Sequence, residues 1–541
     1  MTEDYKKAYE LFHKKEYKKA KELFEKINSK GDNLDVLKYS GLCSYYLKEY
    51  NEALSYLKTV FEKNAAPDIE GYLGTIYYCL KDYGKAQVHL INSILSDYND
   101  EFAKTLEKAL LSKHNDEAML GLKLLMNEHH PKDIFILRDI TNIAQKLKKF
   151  DIAIEFFEIL LKYCPDDYVA WNNMGLIYEE TGDWVKSYNC YKKALSIHDF
   201  FSPNFNLGIM SRKLHKFNDS IQYLKKAILQ NPNSPQPKYS LAMSYMMLKD
   251  FKNGYPLYAN HMTKIMPSYY KREWDGKPHK ESSLCIFTTG GLGDMIMFAR
   301  YFEYVSNIFK KIYCLLPVNL HRIFKRNYPY IEFIDSNEIF TEYDFATTPM
   351  HILKFFDLDF TEFVPNTNGF LKTDENLTKM YKEKFFNNNS LKIAINWHGN
   401  REGTRTFFNR SMPLEFLEPV FNQFKEAKFY SIQKDSSHTE CQKYPFIIDL
   451  YDEIEDFDTT ASILENIDLL ISIDSSPIHM AGAIGKKTYV LLPKANEWRW
   501  FIDDEKSVWY DSIELFRQSK EGDWASCVDK MLAKMELNYK N

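Results

Sequence analysis

A repeat of 33 to 34 residues runs through the first half of this 541-residue chain and restricts that half to stacked helical pairs. Tyr17, Tyr50 and Tyr83 are 33 residues apart, as are Ala20, Ala53 and Ala86, and Gly41 and Gly74. The pattern blurs around 101–133 and then returns, with Phe150, Trp184, Phe217 and Phe251 at spacings of 34, 33 and 34. Gly175, Gly208 and Ala242 mark the small position of each unit's first helix. Ala153, Ser187, Ser220 and Gly254 mark that of the second. Small side chains there allow close helix contact, and each pair buries its apolar face only by stacking on its neighbour. Seven or eight units are expected over residues 1–265, the fourth degenerate.

This period, with small residues where two helices touch and aromatics one turn away, resembles the tetratricopeptide repeat. Such arrays present a concave face to a peptide or protein. The plainer alternative is an array that makes a homo-oligomer or braces the rest of the chain. The many tyrosines, Tyr45, Tyr46, Tyr77 and Tyr78 among them, read as packing residues.

Net charge is −5 and the pI about 6.3, so no nucleic-acid footprint is expected. The first residues lack an apolar signal core, and no stretch reaches the roughly 18 apolar residues of a membrane span. Eight cysteines form no Cys-x-x-Cys pair and read as reduced core residues. A soluble, cytoplasmic protein is expected.

Residues 266–280 carry Pro, Gly and charge and read as a connector. Apolar runs then alternate with helical patterns, which predicts parallel sheets covered by helices. Two halves are expected, 281–388 and 389–541. The first opens with a strand at Leu284–Phe287, a turn with Gly290, Gly291 and Gly293, and a helix bearing Met295, Phe298 and Phe302. Strand, glycine turn and helix in that order begin a Rossmann-type unit. The spacing is not Gly-x-Gly-x-x-Gly, so a nicotinamide or flavin enzyme is not indicated. Asp294 sits at the helix start, where it can cap the helix or take a proton from an incoming hydroxyl. His351 is an alternative base, against the ordinary reading of a loop histidine.

In the second half, the strand from Lys392 runs into Trp397 and Gly399, followed by a polar loop over 400–409. Arg410 precedes an expected helix start at Pro413, where its planar fork suits a phosphate; an exposed surface arginine is the alternative. Lys434 ends the strand from Lys428. The segment 467–485 combines a strand, a turn and a helix begun by Pro477. Ser475 and Ser476 there point at an anion, His479 lies in the first helical turn, and Asp474 suits sugar hydroxyls. Trp498 and Trp500 can stack on a nucleobase or simply pack.

Two Rossmann-like halves facing one cleft describe a GT-B glycosyltransferase. Gly-Leu-Gly-Asp294 with Met-Phe-Ala-Arg-Tyr301 resembles family 9 glycosyltransferases, the heptosyltransferases of lipopolysaccharide assembly. So do Trp397-His-Gly-Asn400, Asn409-Arg-Ser411, Ser431-Ile-Gln-Lys434 and Ile473-Asp-Ser-Ser-Pro-Ile-His479. Bacterial proteins that fuse tetratricopeptide repeats to such a domain are a closer match. They add Trp274-Asp-Gly276, Glu497-Trp-Arg-Trp500, Trp509-Tyr510, Leu515-Phe-Arg-Gln518 and Gly522-Asp-Trp-Ala525. The layout is also similar to O-GlcNAc transferases.

The resemblance implies an inverting transfer from a nucleotide-sugar, with neither metal nor cofactor, to a protein acceptor in the repeat groove. Asp294 matches the base and Arg410 a donor-diphosphate contact. Asp474 falls at the donor sugar, Ser475, Ser476 and His479 at the diphosphate, and Lys434 near the nucleotide. Gly291, Gly293, Trp397 and Gly399 belong to the same donor-binding motifs. Residues 401–408 depart from the heptosyltransferase pattern, which leaves the donor sugar open. A glycan acceptor and an inactive, scaffold-only domain are the alternatives.

Overall fold

The computed structural model describes residues 3–29, 33–112, 114–264, 266–267, 270–288, 290–352, 364, 367–399 and 410–539. The polar loop 400–409 of the sequence reading lies outside the described residues. The chain packs as two units, Met1–His198 and Asp199–Asn541.

Sixteen helices of 11 to 14 residues, paired as eight hairpins, run from Glu3–His13 to Phe251–Lys264 among the described residues. Gly41, Gly74, Gly175 and Gly208 explain the pairing. A methyl at these positions would lie 2.4–2.8 Å from Leu57, Leu90, Tyr191 and Leu224, each 16 residues on in the partner helix. The blurred fourth unit is a regular hairpin, Asp100–Leu111 with Asp116–His129.

The turn inside every hairpin carries one residue at positive φ: Lys15, Lys48, Lys81, His114, Lys148, Gly182, His215 and Lys249. Seven of these eight are not glycine, although the left-handed region disfavours a Cβ. The hairpin contacts on both sides hold them there.

The second unit contains the last two hairpins and two wholly parallel sheets. The first sheet comprises β1 (His279–Phe287), β2 (Phe309–Leu316), β3 (Ile331–Asp335) and β4 (Phe345–Thr347), in the order β3-β2-β1-β4. The second comprises β5 (Lys392–Asn396), β6 (Lys428–Ser431), β7 (Ile447–Asp449), β8 (Leu469–Ile473), β9 (Thr488–Leu492) and β10 (Ile513–Arg517), in the order β10-β9-β8-β5-β6-β7. That is the doubly wound order, which reverses direction between β5 and β8. β8 and β9 are buried along their whole length, as strands covered on both faces must be. Short β7, β10 and the closing helix Trp524–Tyr539 were not separate elements of the sequence reading.

The repeat pattern ends near 265, but the packing boundary falls at 198/199. Phe251, Tyr255 and Tyr258 share one apolar core with Leu284, Met295, Trp498 and Trp509. Described residues of the connector also pack on the first sheet. Trp274 is buried and its backbone N–H donates to the carbonyl of Ala346 in β4 at 2.8 Å. Among the described residues no helix is long and apolar enough to cross a membrane.

Candidate functional site

Parallel strands deliver their C-terminal ends to one side of a sheet, and the polar turns that follow β1, β5, β6 and β8 line one cavity of about 740 Å³. Ten of the eleven predicted site residues line it: Gly291, Gly293, Asp294, Gly399, Arg410, Lys434, Asp474, Ser475, Ser476 and His479. Trp397 does not. Its ring is fully buried among Ile395, Ile471 and Leu491, so it supports the turn after β5 rather than touching a ligand.

Asp294 is a cap and an ion-pair partner together. Its Oδ2 accepts the Gly291 N–H at 2.9 Å, and its Oδ1 accepts from Arg499 at 2.6 Å. The side chains of Asp294 and Arg499 are 14% and 11% exposed. Helix Leu292–Phe298 therefore begins on a carboxylate, which makes it a poor seat for an anion.

Gly293 brings this helix against the helix that follows β8, Ser476–Ala483. A methyl at Gly293 would stand 2.5 Å from the His479 ring. His479 is buried, with Nδ1 3.2 Å from the Tyr510 hydroxyl and its ring 5.6 Å from that of Trp500.

Burial, with Arg499, Arg300 and Arg410 nearby, holds His479 well below the ordinary histidine value of 6.5. Above about 6.5 native and unfolded chains are both neutral at this site. Below it the unfolded chain binds a proton that the native site refuses, so stability falls with pH. Between about pH 7.5 and 5.5 the melting temperature should drop more steeply for wild type than for His479→Asn. Equal slopes would exclude His479 as a source of acid lability.

The remaining polar groups form a braced rim. Asn396 ends β5 and accepts the Ser475 hydroxyl at 2.7 Å, while its amide donates to Gln433 at 2.8 Å. Ser475 is thus committed to Asn396 instead of presenting its hydroxyl to an anion; Ser476 lines the cavity beside it. Gln433 also accepts the N–H groups of Trp397 and His398 at 3.1 and 3.0 Å. His398 Nδ1 lies 2.7 Å from Asp435. Burial pushes the Asp435 carboxyl up, but hydrogen bonds from Ser437 and His398 outweigh it and hold the group below its ordinary range.

Lys434 donates to Tyr451 O at 2.7 Å and lies 4.3 Å over that ring. Arg410 precedes a 3-10 turn, Leu414–Leu417, rather than an α-helix, so its guanidinium has no helix start behind it.

His351 is no candidate base. It is buried, with Nε2 2.9 Å from Ala259 O, bracing the last repeat helix. Trp498 and Trp500 are core residues, which settles their alternatives toward packing. The sequence reading missed Arg499, Asn396, Gln433 and the His398–Asp435 pair. Three of these sit in quoted motifs: Arg499 in Glu497-Trp-Arg-Trp500, His398 beside Trp397, and Gln433 beside Lys434.

No family model matches the chain. It is similar to protein FlbA of Caulobacter vibrioides, 22% identical over 432 residues, which covers 73% of this chain and 71% of the relative. Mouse BBS4, a BBSome complex member, is 24% identical over 111 residues, 20% of this chain and 21% of BBS4. Among solved structures, Naa15/Naa10 bound to HypK has a TM-score of 0.40 at 13% identity, covering 48% of this chain and 42% of the other. The TPR2AB–pHSP90 complex of yeast Sti1 has a TM-score of 0.26 at 13% identity, covering 47% and 96%. At these scores neither likeness carries an argument about this chain.

Proposed function

We propose that the second unit is a GT-B glycosyltransferase that moves a sugar from a nucleotide-sugar to a hydroxyl on a protein bound by the repeats. One observation carries the reading. Glycine-turn, arginine, lysine and Asp-Ser-Ser residues far apart in sequence converge on one cavity at the strand ends of two doubly wound sheets. A cavity of about 740 Å³ suits a nucleotide-sugar.

In this reading Asp294 accepts the acceptor proton as the acceptor oxygen bonds to the anomeric carbon. The bond from that carbon to the diphosphate breaks, with inversion. Arg410, Lys434 and the N–H groups at the start of Ser476–Ala483 take up the charge of the departing nucleoside diphosphate. Asp474 orients the sugar hydroxyls. The charge is met by these cationic groups, so the reading calls for no metal or cofactor.

A repeat array gives a protein acceptor a binding surface outside the cavity. The names of BBS4 and of the yeast anaphase-promoting complex subunit CDC16, 24% identical over 116 residues, place those relatives in multi-protein assemblies. They equally favour a second reading, a repeat scaffold with an inactive α/β unit.

The test is release of free nucleotide from UDP-, GDP-, ADP- and CMP-sugars by the full chain. Release from one of them, lost in Arg410→Ala, is the expected result. No release from any, with or without added protein, favours the scaffold.

A further inference from the structure

Arg499 has no task in the scheme above, yet it lines the cavity and reaches the proposed base. One terminal nitrogen donates to Asp294 at 2.6 Å, while its buried Nε has no hydrogen-bond partner among the described residues. Asp474 and Glu497 add negative charge around it, and with Arg410 it acts on His479, in the first turn of Ser476–Ala483. The guanidinium therefore touches the base and lines the same cavity as Arg410, Ser475 and Ser476.

The backbone that carries Arg499 is tightly set. Its carbonyl accepts from the Trp509 indole at 2.8 Å, and the Trp498 ring meets Trp509 edge-on at 5.8 Å. Phe501 lies at φ 52° and ψ −158°, a conformation that side chains other than glycine rarely adopt. Asn496 donates to its carbonyl at 2.9 Å. The last repeat hairpins secure the segment, through the Phe251 ring at 6.2 Å, Lys249 at 4.8 Å over Phe501, and His215 3.0 Å from Lys494 O. A strained segment held at a cavity wall points to a placed side chain.

We infer that Arg499 is shared between Asp294 and the donor: without donor it holds Asp294, and a bound diphosphate draws it away, freeing Asp294 for the acceptor's proton. The inference rests on the glycosyltransferase reading. A diphosphate carries more charge than a carboxylate and offers the planar fork two acceptors, so it competes effectively for the same group. Donor must then bind before acceptor deprotonation. No new bond is made; the hydrogen bond from Arg499 changes acceptor.

The sharing has an unusual signature, since removing the base charge should improve donor-side binding. The full chain and its Asp294→Asn and Arg499→Lys variants are titrated calorimetrically with UDP, GDP, ADP and CDP, and with the matching monophosphates. Circular dichroism verifies that each variant is folded. Asp294→Asn should bind the preferred diphosphate about tenfold more tightly than wild type, with monophosphate affinity unchanged. Arg499→Lys should bind the diphosphate about tenfold more weakly.

Diphosphate binding to wild type with no gain in Asp294→Asn, or no loss in Arg499→Lys, overturns the sharing and leaves the transferase reading standing. If none of the four binds any of the three proteins, the transferase reading itself fails and takes the inference with it.

Discussion

Replacing Asp294 by Asn should cut nucleotide release to acceptor by two to four orders of magnitude, as expected where base catalysis contributes about 10²–10⁴-fold. The fold should survive. An asparagine oxygen can still accept the Gly291 N–H or the Arg499 guanidinium, the two bonds Asp294 makes now. Asp294→Ala is a different perturbation. It takes away the carboxylate that Arg499 hydrogen-bonds and leaves only the charges of Asp474 and Glu497 around it. Stability should fall by up to about 3–5 kcal/mol, the cost of breaking a buried pair, and the melting temperature with it. Turnover near wild type in Asp294→Asn, with an unchanged fold, removes Asp294 as the base.

The second large effect concerns where the chain can be cut. The repeat periodicity marks 265 as the end of the array and makes a fragment starting near Lys271 the natural choice. The packing makes it the wrong one. Such a fragment loses Met243, Met246, Phe251, Tyr255 and Tyr258, all buried in the core that also holds Trp498, Phe501 and Trp509. Fully burying one such side chain is worth about 1.5–3 kcal/mol, so losing five is comparable to a total stability of about 5–15 kcal/mol.

The fragment from Lys271 should therefore be aggregated or molten, whereas one starting at Asp199 should be soluble, melt cooperatively and bind donor. Lacking residues 1–198, the latter should also lose activity on a protein acceptor. If it modified that acceptor at the full-length rate, the first unit would be a brace or an oligomer contact. A well-folded fragment from Lys271 would show that the last hairpins are dispensable to the α/β core.

Much of the fold was legible because it rests on periodic features. The 33-residue columns gave the hairpins directly, and buried parallel strands announce themselves as apolar runs ending in polar turns. Even the degenerate unit over 101–133 keeps a hairpin, and it keeps the turn residue His114 at positive φ. A lysine recurs at that turn position in five other units, a signal present in the sequence but masked because lysine is no turn former.

The site was legible at the level of motif but not of partner. Glycines, Arg410, Lys434 and the Asp474–Ser476 turn come from strand ends, where one chain segment suffices to predict a position. Arg499 lies in the 3-10 turn Trp498–Trp500 after β9, and what it does depends on Asp294, 205 residues earlier. No local pattern encodes a pair at that separation. Trp397 fails for the converse reason. A tryptophan beside a glycine turn looks like a ligand platform, but strand alternation aims its ring into the core.

The central claim, that the cavity takes a nucleotide-sugar, is tested most directly by the melting temperature of the fragment 199–541 with UDP-, GDP-, ADP- and CMP-sugars in turn. A ligand at about 100 times its dissociation constant stabilises the native state by about 2.7 kcal/mol, enough to raise the midpoint by several degrees. The account predicts such a rise with one nucleotide class, abolished in Arg410→Ala. A midpoint that stays fixed with every nucleotide-sugar would contradict it.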